Sequence, residues 1–188
     1  MKERIYDALE LLFDTLTRPA QAMMHITAGG QFRTGMLIWA FTIILPCISA
    51  LVQMRHGSVL LVAGAFVGGA VSLFFQTLLV HGAALLLGGH GQARNLAAAF
   101  CFADFPLNFA ILLSSLVFIL PTGLVQGLSV AALLWAVVLA AYAVRANYGM
   151  GMGRSCIALF LPLLIVLGLL AVLFMYIVVE VVSLVGTL

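Results

Sequence analysis

Four side chains able to hold protons or hydrogen bonds stand inside otherwise apolar runs: Gln76, His81, Asp104 and Asn108. A carboxylate within an apolar helix costs about 2.5–3.5 kcal/mol on translocon-insertion scales, so Asp104 needs a partner or water. At about 1.5 Å per helical residue, Asp104 lies roughly 13 Å from one end of its span. His81 and Gln76 lie roughly 9 and 16 Å from the same surface, on the preceding antiparallel span. Asn108 follows Asp104 by one turn, on the same face. Two chemistries fit this set. In one, His81 and Asp104 form a proton-titrating pair or part of a polar cavity for a small solute or headgroup. In the other, Asp104 is a hydrogen-bonded clasp between the two spans. There is one deep carboxylate, no base clearly opposite it and no second acid to complete a cation site, which favours the clasp. Pro106 removes a backbone donor two residues on, freeing a carbonyl near Phe102 for water or a hydroxyl.

The elements that must position these groups are apolar helices. The chain has 188 residues, of which 65% are hydrophobic and 7% charged. Soluble domains carry about a quarter charged residues, so this chain cannot cover a water-facing surface. About 20 apolar residues cross the hydrocarbon core as a helix. The apolar runs fit five spans, at about 34–54, 58–87, 95–120, 125–144 and 155–182. The expected fold is all-α: a polytopic five-span membrane bundle over 34–188, behind a cytosolic segment over 1–33. Within that segment, Ile5, Leu9, Leu12, Phe13 and Leu16 recur at helical spacing, with Glu3, Arg4, Asp7, Glu10 and Asp14 on other faces. The spacing predicts an amphipathic helix over 3–17, lying on the membrane surface or packed on the ends of the bundle. Arg18-Pro19 breaks it, and a short second helix fits Ala20 to Thr27. The opening MKERIYDALE lacks a leading apolar core, so the first span is expected to act as an uncleaved signal anchor.

Small residues mark where spans approach closely. Gly64 and Gly68, with Gly69 beside them and Ser72 one turn on, form a face expected to pack within the molecule rather than dimerise. Ala132, Ala136 and Ala140 form a second such stripe. Cys47, Cys101 and Cys156 lie in apolar runs without C-x-x-C spacing, so neither disulfides nor a zinc site is expected. Met150 and Met152 in a turn do not make a metal site, and no cofactor is expected. No G-x-S-x-G, H-E-x-x-H or phosphate-cradling glycine loop occurs, so no enzyme is expected. The net charge of +2 does not suggest nucleic acid as a partner. With five spans, Lys2, Arg4, Arg18, Arg33, Arg94, Arg145 and Arg154 fall on one side and Arg55 on the other. That bias places the N-terminus in the cytosol and the C-terminus outside.

Several short motifs, in their order, resemble a known family. Leu85-Leu86-Leu87-Gly88-Gly89 is followed by a polar stretch, an alanine-rich helix start and Ala103-Asp104-Phe105-Pro106-Leu107. Trp135 then leads through an apolar run to Arg145, and Arg154-Ser155 restarts a span containing Leu161-Pro162; Thr17-Arg18-Pro19 precedes the first span. Together these resemble the Yip domain (Ypt-interacting-protein family), in its bacterial form. Gly88, Gly89 and Pro106 match the family pattern. Asp104 departs from it, standing where a small or hydroxyl residue is expected. The resemblance implies five spans and, for eukaryotic relatives of the endoplasmic reticulum and Golgi, Rab-type GTPase binding and vesicle traffic. Those relatives carry longer cytosolic N-terminal regions, so a GTPase partner is not carried over to this chain. The function expected is that of a non-enzymatic scaffold or membrane-organising protein of the bacterial cytoplasmic (inner) membrane. Its partners would be the lipid bilayer and other membrane proteins or further copies of itself. The alternative is a small transporter or channel-like protein using His81, Asp104 and Asn108.

Overall fold

Glycine and proline punctuate the chain, and the apolar runs between them satisfy their backbone groups in hydrocarbon only as helices. The computed structural model describes residues 2–53, 59–114 and 120–186, and every regular element among them is helical. In chain order these are α1 (Lys2–Thr17), α2 (Pro19–Ala28), α3 (Phe32–Gln53), α4 (Val59–Leu86), α5 (Ala93–Ala103), α6 (Phe105–Ser114), α7 (Thr122–Tyr148) and α8 (Met152–Gly186). Three are long and apolar enough to cross a membrane, over Val62–Leu86, Thr122–Tyr148 and Met152–Val179. The apolar stretch Phe32–Ile44 of α3 is shorter. Arg55 and the side chain of Glu180 lie outside the described residues.

The expected third span is broken beside its proline, as that residue predicts. Apolarity predicts one interrupted helix over 95–120; the structure forms α5 and α6, divided at Asp104. Pro106 explains the division. It sits in the first turn of α6, where its missing N–H is not needed, and would break the ladder further in. The Asp104 N–H donates to Phe100 O at 2.9 Å and its carbonyl accepts from the Asn108 N–H at 3.1 Å. The chain thus passes between the helices within one residue.

α5 also occupies a different environment from the one expected of a lipid-facing span. Leu96 and Ala98 through Ala103 are fully enclosed, with α2, α3, α4 and α7 packed around them. Lipid tails are as apolar as leucine, so this enclosure comes from close packing rather than escape from water. The alanines of α5 allow it. Where α3 crosses, a Cβ on Gly35 would lie 3.0 Å from the carbonyl oxygen of Ala98 and 3.2 Å from its Cα. Phe100 and Phe102 fill the remaining volume as the largest fully buried side chains.

α8 is the opposite case. It continues through Pro162, touches α4 and α7, and exposes every side chain from Leu163 to Val179. At the other end of the chain, α2 lays Ala22, Met23, Ile26 and Thr27 against α7 and α5. α1 rests on α2, with Leu11 and Thr15 buried. Leu9 and Phe13, from the apolar side expected of this helix, are exposed, as is Tyr6.

Candidate functional site

The polar groups of this bundle are organised by the turn between α4 and α5. α4 ends with Gly88 at φ +82°, a conformation that costs glycine little. The Gly88 N–H donates to Leu85 O at 3.0 Å and the Gly89 N–H to Ala84 O at 2.9 Å, the paired closure of a Schellman motif. The turn then presses on the last turn of α7. A Cβ on Gly91 would lie 2.6 Å from Asn147 O and 2.7 Å from Tyr148 Cδ1; one on Gly89 would lie 2.9 Å from Tyr148 Cβ. Asn147 Nδ2 donates to Gln92 O at 3.0 Å, and the His90 N–H reaches Tyr148 O at 3.5 Å.

This docking decides the partner of His81. Its Nδ1 shares a hydrogen bond of 2.5 Å with the Tyr148 hydroxyl, the two rings 5.8 Å apart. Sequence reasoning places His81 beside Asp104. Among the described residues no hydrogen bond joins them, and the Asp104 carboxylate interacts electrostatically with the Cys101 thiol one turn back on α5. Depth along a helix sets the level of a side chain but not its direction around the axis. That direction follows from the packing of glycines and alanines, which turns His81 toward α7.

Asn108 is tied elsewhere. Its Nδ2 donates to Thr42 Oγ1 at 3.2 Å, and that hydroxyl donates to Trp39 O at 3.0 Å, so α6 is fastened to α3. Gln76 is half-buried on α4, and the neighbouring Thr77 hydroxyl is buried without a hydrogen-bond partner. Sequence reasoning therefore missed Thr42, Thr77, Asn147 and Tyr148. Asn147 and Tyr148 carried a usable signal, standing directly before the helix-ending Gly149. Thr42 and Thr77 carried none beyond being hydroxyls in apolar helices.

The small residues divide in the same way. Among the described residues a Cβ on Gly64 or Gly68 meets nothing within 4 Å, so no packing within the molecule is seen on this face; the close approach of α4 to α3 is at Gly69, whose Cβ would overlap Ile43 Cδ1. Gly69 has an inward azimuth and its neighbour Gly68 does not. Ala136 and Ala140 are buried and Ala132 half-buried. Pro106 is buried beside Asp104. Cys47 and Cys101 are buried free thiols. Among the described residues no three His, Cys, Asp or Glu side chains are grouped as metal ligands.

Two cavities are formed by these elements. One, of about 410 Å³, lies against the α4–α5 turn and is lined by Thr27, His90, Gln92, Asn95 and Asn147 among others. The second, of about 550 Å³, lies between α1 and α2 and is lined by Asp7, Glu10, Asp14, Arg18 and His25 among others. His81, Asp104 and Asn108 line neither. The first offers uncharged donors and acceptors, suited to holding a polar group by hydrogen bonds. No curated protein and no solved structure matches the chain. A family model described as the Yip1 domain matches residues 13–175, and the chain, with its apolar helices, is a membrane protein that belongs to this family.

Proposed function

We propose that this protein is a non-enzymatic scaffold or membrane-organising protein of the bacterial cytoplasmic membrane. In this reading it crosses the bilayer five times, by α3, by α4, by α5 and α6 together, by α7 and by α8. The N-terminus lies in the cytosol, with α1 and α2 at that surface, and the C-terminus outside. The observation that carries the reading is the open flank made by α4 and α8. Leu60, Val67 and Phe74 on α4 are exposed, as is every side chain of α8 from Leu163 to Val179. Gly64 and Gly68 leave room there for another helix to approach closely. His81 and Asn108, by contrast, are engaged inside the bundle by Tyr148 and Thr42. The orientation is supported by the basic residues. Residues adjoining Arg94 and Arg145 line one cavity together, so these two arginines share an end of the molecule.

A transporter is the second reading, favoured by Asp104, an ionisable group within the bundle whose carboxylate meets only the Cys101 thiol, and by the Thr77 hydroxyl, which has no hydrogen-bond partner among the described residues. One experiment separates the two. A photo-crosslinking amino acid is placed at Val67 or Phe74, and separately at the buried Leu73, in cells. Scaffolding gives discrete protein adducts from the first two positions and none from Leu73. Lipid adducts alone, together with a pH-dependent flux in proteoliposomes that Asp104→Asn abolishes, would replace the scaffold by the transporter.

A further inference from the structure

The cavity against the α4–α5 turn sits at a particular depth. The candidate spans on α4 and α7 end at Leu86 and Tyr148, and that on α8 begins at Met152. The cavity is lined by His90, Gln92 and Asn95, which follow Leu86 through the turn into α5, and by Asn147, next to Tyr148. Three apolar helices therefore stop at one level, and the cavity opens where lipid headgroups lie. Among the described residues its lining contains no carboxylate. Arg94, beside Asn95, and Arg145, beside the lining residue Ala146, are both exposed. The Arg94 guanidinium is held over the Phe32 ring, 5.2 Å from its centroid. The first turn of α5 opens at the cavity, and Gln92 supplies no side-chain cap to its N–H groups. The close approach of Gly91 to Asn147 and the Asn147 hydrogen bond to Gln92 O build the wall. Leu86, four residues before His90, is 81% exposed and offers apolar surface beside it.

We propose that this cavity binds the phosphate of a glycerophospholipid headgroup, held by the amides of Asn95 and Gln92 and attracted by Arg94 and Arg145. Its volume suits such a headgroup, since small-ligand sites run from about 300 to 1,000 Å³. Basic residues around a polar pocket at the cytosolic ends of membrane helices attract anionic headgroups, and the N-terminal end of a helix adds favourable dipole. The site stands whether or not the open flank of α4 and α8 holds a protein.

The test uses the full chain in detergent and three probes: dioctanoyl phosphatidylglycerol, dioctanoylglycerol and inorganic phosphate, with bound ligand read by native mass spectrometry and calorimetry. Phosphatidylglycerol should bind saturably, with dioctanoylglycerol and phosphate both much weaker. Arg94→Ala and Asn95→Leu should each weaken it about fivefold. If either variant loses its monodisperse elution, Gln92→Ala, at an exposed side chain, takes its place. Binding of dioctanoylglycerol as tight as that of the phospholipid would overturn the proposal, because the acyl chains alone would then account for it. Phosphate binding as tightly as the lipid would overturn the headgroup assignment in favour of a free anion. Unchanged affinity in the variants would overturn the location.

Discussion

The hydroxyl of Tyr148 meets Nδ1 of His81 at 2.5 Å, joining the last turn of α7 to α4 across 67 residues of sequence. The bond is possible because Gly89 and Gly91 let the α4–α5 turn lie directly on the Tyr148 backbone and ring. Hydrogen bonds between membrane helices are worth about 0.6 kcal/mol on average and up to about 1.7. Tyr148→Phe and His81→Ala should each lower stability by about that amount or somewhat more. The double variant should cost less than the sum, with a coupling of about 0.6–1.5 kcal/mol. Reversible unfolding in mixed micelles measures this, and strictly additive losses would show that the two side chains do not support one another.

Glycines on this chain should divide sharply when alanine is introduced. At Gly91 the new methyl would lie 2.6 Å from a backbone carbonyl and 2.7 Å from the Tyr148 ring, so the turn must lift from α7. Overpacking of this kind costs about 1–3 kcal/mol. At Gly64 and Gly68 the methyl meets nothing within 4 Å among the described residues, and alanine improves helix propensity by about 1 kcal/mol. Gly91→Ala should therefore lower the melting temperature in detergent, while Gly64→Ala and Gly68→Ala leave it unchanged or raise it. A loss at Gly64 or Gly68 as large as at Gly91 would mean that the flank is covered in the protein as purified.

Asp104 and Thr42 make a second contrast. Thr42 accepts from Asn108 and donates to Trp39 O, so Thr42→Val leaves the Asn108 amide without its partner, at a cost of about 0.6–1.7 kcal/mol. The Asp104 carboxylate meets only the Cys101 thiol among the described residues, and Asp104→Asn keeps its size. That substitution should change stability by less than about 0.5 kcal/mol. Melting curves of the two variants at one pH decide it, and a large loss for Asp104→Asn would restore the clasp between spans.

These contrasts show what could be read from the residues and what could not. The helix ends at Arg18-Pro19, Gly88-Gly89, Pro121 and Gly149 are legible because proline and glycine there favour turns and helix termini. α4, expected over 58–87, forms over Val59–Leu86, and α7, expected over 125–144, reaches Thr122–Tyr148. Which face of each helix turns inward is a different matter. In water, apolar periodicity points to the core. In hydrocarbon, the inner and outer faces of a helix are both apolar, so apolarity alone does not say that α5 is enclosed and α8 bare. Gly68 and Gly69 are adjacent and chemically identical, yet only Gly69 meets α3. The same loss of directional signal explains why His81, at the right depth for Asp104, is found with Tyr148.

The sidedness of the chain has support from charge and from geometry, and a single experiment addresses both. Arg94 and Arg145 adjoin residues that line one cavity, which also includes Thr27 of α2, so the α2 end, the α4–α5 turn and the α7–α8 turn lie at one end of the molecule. The basic-residue bias assigns that end to the cytosol. Alkaline phosphatase fused after His90 or after Gly149 should be inactive, and a fluorescent protein at either position should be bright. Fusions after Gly57 and after Thr122 should behave in the opposite way. Active phosphatase at one of the first two positions and not the other would split the cavity between two sides of the bilayer. Such a result would remove the five-span threading and, because no lipid could then reach both Asn95 and Asn147 from one leaflet, the headgroup site with it.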